Sequence, residues 1–275
     1  RSVGEWRTGN ISAFLKEVSA KVRAVKPHIL VSAAPLGKLR VLPAMPNVGW
    51  TARESVFQDP AVWYREGSVD FIVPMMYYRD NLFDPFLADW KAQIPGLPIV
   101  PGLAPYRIED ESKWTARDIE NQMNASERLG MAGICFYREL NIRPNRNGVD
   151  RVIARHFTAP ARMPSFAKRG ANRPPRPSRL TIEDRGQYLE ASWTMPSSWN
   201  SSKGTFNLYV SVPGGNLAGE NFLLATLIPS TRYTFSKELL QPFSRAKTLQ
   251  FRVEASSRSY VRGEASEAAI LVKGN

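Results

Sequence analysis

Four short apolar runs in the first 140 residues constrain this chain more than any other feature; each closes on polar or aromatic residues, and helical spacing separates one from the next. The runs are HILVSAAP (28–35), VDFIVPMMYY (69–78), PIVPGLAPY (98–106) and MAGICFY (131–137). Strand formers cluster in each, and amphipathic segments between them are the mark of parallel β/α units rather than a meander. Four such units make half of a (β/α)8 TIM barrel, so an α/β fold of that kind is expected. Chemistry in a barrel gathers where strands end, which singles out Ser32, Tyr77, Tyr78, Arg79, Tyr106, Arg107, Arg138 and Glu139.

The first helix is expected from an N-cap at Asn10 through FLKEVSAKVRAV, with Phe14, Leu15, Val18, Val22 and Val25 on one face and Pro27 as the stop. Further helices are expected at 60–66, 85–93, 115–129 and 151–157, the one at 115–129 turning Ile119, Met123 and Leu129 inward. The segment 36–52, which holds Trp50, is too long for a plain βα connection and is expected to shape a cleft. Asp70 precedes the apolar part of its run, so a structural hydrogen bond at the bottom of the barrel is its expected role.

Past residue 157 the pattern dissolves into Pro, Arg and small residues, then returns with a period of two. This divides the chain into the half barrel at 1–157, a basic Pro-rich linker at 158–179 and an all-β sandwich at 180–275. Strands are expected at 189–193, 205–212, 222–227, 248–255 and 268–272. Half of the net charge of +12 sits on the linker, in Arg162, Lys168, Arg169, Arg173, Arg176 and Arg179. Basic residues nowhere form a stripe interleaved with aromatics, so no nucleic-acid partner is expected.

Other classes of chemistry lack their residues. Cys135 is the one cysteine, which excludes an internal disulfide and reads as a small buried hydrophobe. His28 and His156 have no metal-ligand spacing around them, and there is neither a Gly-rich phosphate loop nor a serine elbow, so no metal and no cofactor are expected. No run reaches the roughly 18–20 apolar residues of a transmembrane segment. The chain opens on Arg1 with no apolar leader, and a longer precursor is expected to supply any targeting signal.

At Glu5-Trp6-Arg7-Thr8-Gly9-Asn10-Ile11, at Val25-Lys26-Pro27 and at Val69-Asp70-Phe71-Ile72-Val73-Pro74 with Tyr77, the chain resembles the glycosyl-hydrolase-like family 10 of bacterial envelope proteins. The phrase WYREGSVDFIVPMMYY (63–78) looks like that family's WLREGWVDYIAPQLYW. The resemblance runs from about Glu5 to Leu140 and implies the C-terminal half of the barrel, export to the periplasm, outer membrane or exterior, and hydrolysis of a glycosidic bond, with peptidoglycan glycan strands as one substrate. It departs from the family twice. The acidic segment expected just upstream of Glu5 is absent, and Met75 stands where the family has Gln. Glycoside hydrolysis uses two carboxyl groups, so a missing N-terminal barrel half, in the same precursor or a separate chain, is the expected source of the acids and the expected partner.

Within the chain Glu139 is the catalytic candidate, with Asp80 and Asp84 behind it. Tyr77, Tyr78 and Tyr106 are expected to offer aromatic faces to a glycan substrate, Tyr77 ahead of Tyr78 because strand side chains alternate. Arg107 is placed to pair with a carboxylate or an anionic sugar substituent, and Arg7, Trp50 and Arg138 complete the expected binding residues. The rival expectation is a noncatalytic glycan-binding barrel. Pro177, Leu180, Trp193, Tyr209, Tyr233 and the FRVEASS strand from Phe251 resemble a fibronectin type III-like domain, a frequent spacer or binding module on glycosidases.

Overall fold

Proline punctuates the first three strands of the N-terminal region, at Pro35, Pro74, Pro98, Pro101 and Pro105, and each one removes a ladder donor. The computed structural model, which describes residues 2–166, 173–200, 202–214 and 222–273, accordingly has only two-residue ladders there: β1 (Ser32–Ala33), β2 (Phe71–Ile72), β3 (Gly102–Leu103) and β4 (Cys135–Phe136). β1 pairs with β2 and β3 with β4, all parallel. Parallel bridges from Ile72 to Ile99 and from Met75 to Gly102 join β2 to β3. Around the prolines the pairing continues through single bonds, such as Met75 N to Pro35 O (2.9 Å), Gly102 N to Pro74 O (2.9 Å) and Tyr137 N to Leu103 O (2.8 Å). The result is a four-stranded parallel array in chain order.

The helices are α1 (Val3–Val25), α2 (Pro60–Arg65), α3 (Phe83–Gln93), α4 (Arg107–Asp110), α5 (Ala116–Arg128) and α6 (Val149–His156). α1 starts at Val3 rather than at the expected Asn10, because Ser2 and Glu5 form a capping box: Ser2 Oγ accepts from Glu5 N and Glu5 answers on Ser2 N. The buried face of α1 also departs from expectation. Ile11 and Leu15 pack on the core, whereas Phe14 and Val25 stand exposed beside Val3 and Trp6. α1 meets α2 on one flank, and its other flank carries this apolar stripe.

Trp90, Phe86, Leu87, Ile72, Met76 and Met123 fill the core between helices and strands. Along β2 and its extension Ile72, Pro74 and Met76 are buried, while Phe71, Val73, Met75 and Tyr77 alternate onto a half-open face. Cys135 lies on the open side too, exposed rather than buried as expected, because Ile134 and Phe136 on either side of it take the core positions. The segment after β1 folds over the core. Gly37 there lies so close to β2 that a Cβ would sit 2.3 Å from Met75 O, and its carbonyl accepts from Trp90 Nε1 at 2.6 Å. Arg40 and Asp89 form a paired contact that anchors the same segment. Asp70 Oδ2 accepts from Val31 N (2.7 Å) and Arg23 Nη2 (3.1 Å), tying β2 to β1 and α1.

Residues 158–275 form the second unit. Its strands are β5 (Ser178–Asp184), β6 (Tyr188–Thr194), β7 (Gly204–Ser211), β8 (Phe222–Ile228), β9 (Arg232–Ser236), β10 (Thr248–Ser257), β11 (Arg262–Ala265) and β12 (Ala269–Val272). β5, β6 and β9 make one antiparallel sheet; β8, β7 and β10 make the other, with β11 and β12 following one another along the far flank of β10. The inner faces interdigitate through Trp193 on Phe206 (5.1 Å between centroids) and Phe235 on Phe251 (6.0 Å). Parts of the linker lie on this unit: Phe166 is buried, its N–H donates to Ser259 O, Arg162 covers the Tyr209 ring, and Arg176 pairs with Glu267. Lys168 and Arg169 fall outside the described residues.

Candidate functional site

Strand alternation sends Tyr77, Tyr106 and Tyr137, one from the end of each of three consecutive strands, into a single aromatic group. Tyr77 stacks on Tyr137 (5.8 Å, 28° between planes), and Tyr106 meets both edge-on, at 5.9 and 5.8 Å. Gly102 lies beneath, with Tyr77 Cε1 only 3.6 Å from where a Cβ would be. Tyr137 is 51% exposed, so the group presents a ring to solvent at the C-terminal ends of the strands. Burial, with smaller contributions from Cys135, Tyr106 and Tyr137, pushes the Tyr77 phenol up to about 12. It is therefore a neutral hydrogen-bonding group at ordinary pH. Partial shielding from water on the sheet face also raises the Cys135 thiol.

Beside the tyrosines a buried tryptophan stands between two arginines. The guanidinium carbons of Arg79 and Arg107 lie 5.8 and 5.7 Å from the Trp114 ring, and Arg107 also lies 5.7 Å from Tyr106. Arg107 is ion-paired with Glu111, and Arg79 contacts Asp118 (3.2 Å) and Asp80 (3.4 Å). Asp118 is fixed in turn by the cap of α5, where its Oδ2 accepts from Thr115 N at 2.7 Å.

Glu139, Glu109, Asp118 and Asp84, near the strand ends, already have basic partners. Glu139, in the 3-10 turn Glu139–Ile142 after β4, forms a two-pronged pair with Arg143 (2.7 and 3.1 Å), and that hydrogen bonding lowers its carboxyl. Arg146 grips Glu109 through two 2.6 Å bonds and, helped by Asn141 and Asn147, pulls it down to about 2. Burial raises Asp118, but hydrogen bonds from Thr115 and Arg79 outweigh it and the net direction is down. Asp84 pairs with Arg128. A glycosidic general acid needs its pKa raised, so these groups favour an accepting or charge-stabilising role. Among the described residues no group of three His, Cys, Asp or Glu could hold a metal ion.

The other residues singled out from the sequence scatter. Tyr78 turns toward the helices, its ring 6.1 Å from Phe86 and 5.2 Å from Lys38 Nζ, away from the tyrosine group. Arg7 lies on α1 over the Phe57 ring (5.0 Å), beside the segment that follows β1. Trp50 protrudes from that segment, 75% exposed; Arg138 is exposed just past β4, whereas Ser32, expected at a strand tip, opens β1 opposite Phe71 at the start of β2. Sequence reasoning left out Tyr137 and Trp114. Tyr137 was findable, since it closes its run at the same place as Tyr77; Trp114 sits in a polar loop with no periodicity to mark it.

The first unit is thus a parallel β/α body whose strand ends carry an aromatic group flanked by arginines. Residues 2–94 match the family model described as Glycosyl hydrolase-like 10. Two curated relatives extend the match. The chain is 20% identical over 207 residues to Glycosyl hydrolase YngK of Bacillus subtilis (strain 168), covering 69% of this chain and 41% of the relative. It is 25% identical over 157 residues to Glycosyl hydrolase DigH of Escherichia coli (strain K12), covering 50% and 36%. The chain therefore spans less than half the length of either. The solution structure of the fibronectin type-III domain of human fibronectin type III domain containing protein 3 matches 38% of this chain and 89% of its own at 18% identity, with a TM-score of 0.28. At that score it adds nothing to the two-sheet topology described above. No helix among the described residues is long and apolar enough to cross a membrane.

Proposed function

We propose that the chain is the C-terminal half of a (β/α)8 glycoside hydrolase barrel followed by a fibronectin type III-like sandwich, from a bacterial protein exported to the cell envelope and acting on a polysaccharide such as peptidoglycan glycan strands. The observation that carries this reading is the group of Tyr77, Tyr106 and Tyr137 at the ends of three successive parallel strands. Rings held so offer flat faces to sugar C–H surfaces, and their hydroxyls bond sugar oxygens. Closure of the barrel falls to an N-terminal half, in the same precursor or a separate chain, which also brings the carboxyl pair: one group protonates the glycosidic oxygen, the other serves as nucleophile or base. The half-open sheet face at Phe71, Val73, Met75 and Cys135 and the apolar stripe on α1 support such a partner.

The arginine-paired acids, together with Met75 in place of Gln, favour a second reading in which the barrel binds glycans without cleaving them. Assays of the intact protein for release and for binding of glycan fragments separate the two. Hydrolysis that falls at least about tenfold in kcat/KM in Tyr77→Ala and Tyr137→Ala, each removing contacts worth about 1.4 kcal/mol or more, supports the enzyme. Binding without release supports the noncatalytic barrel, and neither binding nor release overturns both.

A further inference from the structure

We propose that Glu109 is a positioning residue for the tyrosine group: it clamps the segment after β3 to the segment after β4 and so sets how Tyr106 meets Tyr137. The purpose of such a clamp rests on the glycan-acting reading above; its geometry does not.

Strand pairing alone leaves these two rings loosely placed. β3 and β4 share two residue pairs, Gly102 with Cys135 and Leu103 with Phe136, and Tyr137 N donates to Leu103 O at 2.8 Å as the ladder ends. Tyr106 lies three residues past β3, at the head of the single turn α4. Edge-on ring pairs attract one another weakly, so what carries the rings decides their geometry.

Glu109 sits one turn on from Tyr106, and its N–H donates to Tyr106 O at 3.0 Å, which makes one short piece of the carboxylate and the ring. The carboxylate reaches across to the segment beyond β4. Arg146 donates to both of its oxygens, from Nε and Nη2 at 2.6 Å each, a fork-to-fork pairing that fixes direction as well as distance. Asn147 carries the connection inward. Its Nδ2 donates to Glu109 Oε1 (3.2 Å) and to Asn141 O (2.8 Å), while its Oδ1 accepts from Val149 N (3.1 Å) at the start of α6. Asn141 is buried, and its N–H donates to Arg138 O at 3.0 Å, closing the turn directly after Tyr137. A path of hydrogen bonds thus runs from Tyr106 through Glu109, Asn147 and Asn141 to the residue beside Tyr137. Binding groups must be held to within about 0.5 Å by neighbours that are themselves hydrogen-bonded, and this path supplies that support. A carboxylate is required in the middle of it, because Arg146 and Asn147 bring donors to both oxygens and an amide can accept at only one.

The test uses the full chain labelled with fluorotyrosine, with Tyr106→Phe and Tyr137→Phe assigning the two signals by NMR. Glu109→Gln and Arg146→Met each break the fork. Both signals are expected to move in each single variant, and the double variant to move them no further, because the two side chains act as one clamp. Asp70→Ala, at the opposite end of the strands, lowers the stability of the same unit and is expected to leave both signals in place. Chitotetraose is expected to bind Glu109→Gln about fivefold or more weakly than the parent chain. Unmoved signals in folded Glu109→Gln and Arg146→Met overturn the clamp, as do equal movements in Asp70→Ala, since lost stability alone then accounts for them. Moved signals with parent-like affinity overturn the positioning role. A parent chain that does not bind the tetrasaccharide counts against the glycan reading, and the tyrosine signals still decide the clamp.

Discussion

The two units solve strand pairing in opposite ways. In the sandwich β10 pairs with β7 over eight residues and with β11 and β12 on its other flank, and both sheets bury their inner faces in each other. Gly204 lets this ladder close, since a Cβ there would lie 1.9 Å from Ser256 O. In the β/α unit, prolines cut each parallel pairing to two residues, one sheet face stays half open, and α1 shows Val3, Trp6 and Phe14 to solvent. A sandwich is complete with the residues it has; a four-stranded parallel array leaves two edges and a face for something else to cover. The candidate site lies in the β/α unit, where residues at open strand ends are not consumed by packing.

Several changes would break or sharpen this contrast. Phe251 is fully buried between the sheets, and Phe251→Ala is expected to cost about 3–5 kcal/mol. Denaturant unfolding should show the loss in the sandwich transition alone; a matching loss in the β/α transition would mean that the two units unfold as one. Asp70→Ala strands the Val31 N–H and leaves Arg23 held only through Gly67 O, for an expected loss of about 2–3 kcal/mol confined to the β/α unit. The smallest effect concerns acid. Glu109 has a folded pKa of about 2 against an ordinary value of 4.5, so its contribution is full above pH 4.5 and fades as pH falls toward 2. Glu109→Gln should flatten that part of the stability–pH curve for the β/α unit and leave the sandwich curve unchanged.

The same contrast explains what could be read from the sequence. All four parallel strands, the helices α2, α3, α5 and α6 and the inward turn of Ile119 and Met123 follow from periodicity, because burial there is local and regular. Five strands of the sandwich were legible for the same reason. β5, β9 and β11 were not: β5 begins inside the Pro-Arg segment, β9 is a five-residue strand whose Tyr233 and Phe235 look like part of a polar turn region, and β11 is four residues of RGEA with no apolar alternation. Phe14, Val25 and Cys135 misled because a hydrophobic residue is expected inside, and here the side it faces belongs to the open flank or the open sheet face. Within the site, Tyr77 and Tyr106 came from strand ends. Trp114 and the pairing of Glu109, Asp84 and Asp118 with arginines depend on which loops meet, which no local pattern encodes.

Amide hydrogen exchange on the intact chain tests the contrast most directly. The account predicts that amides at the centre of the sandwich ladder, such as Leu208 and Val253, exchange far more slowly than Met75, Gly102 and Tyr137 in the parallel array, whose bonds border an open face. Equal protection in the two units would contradict it, and would mean that the β/α unit is already a finished domain.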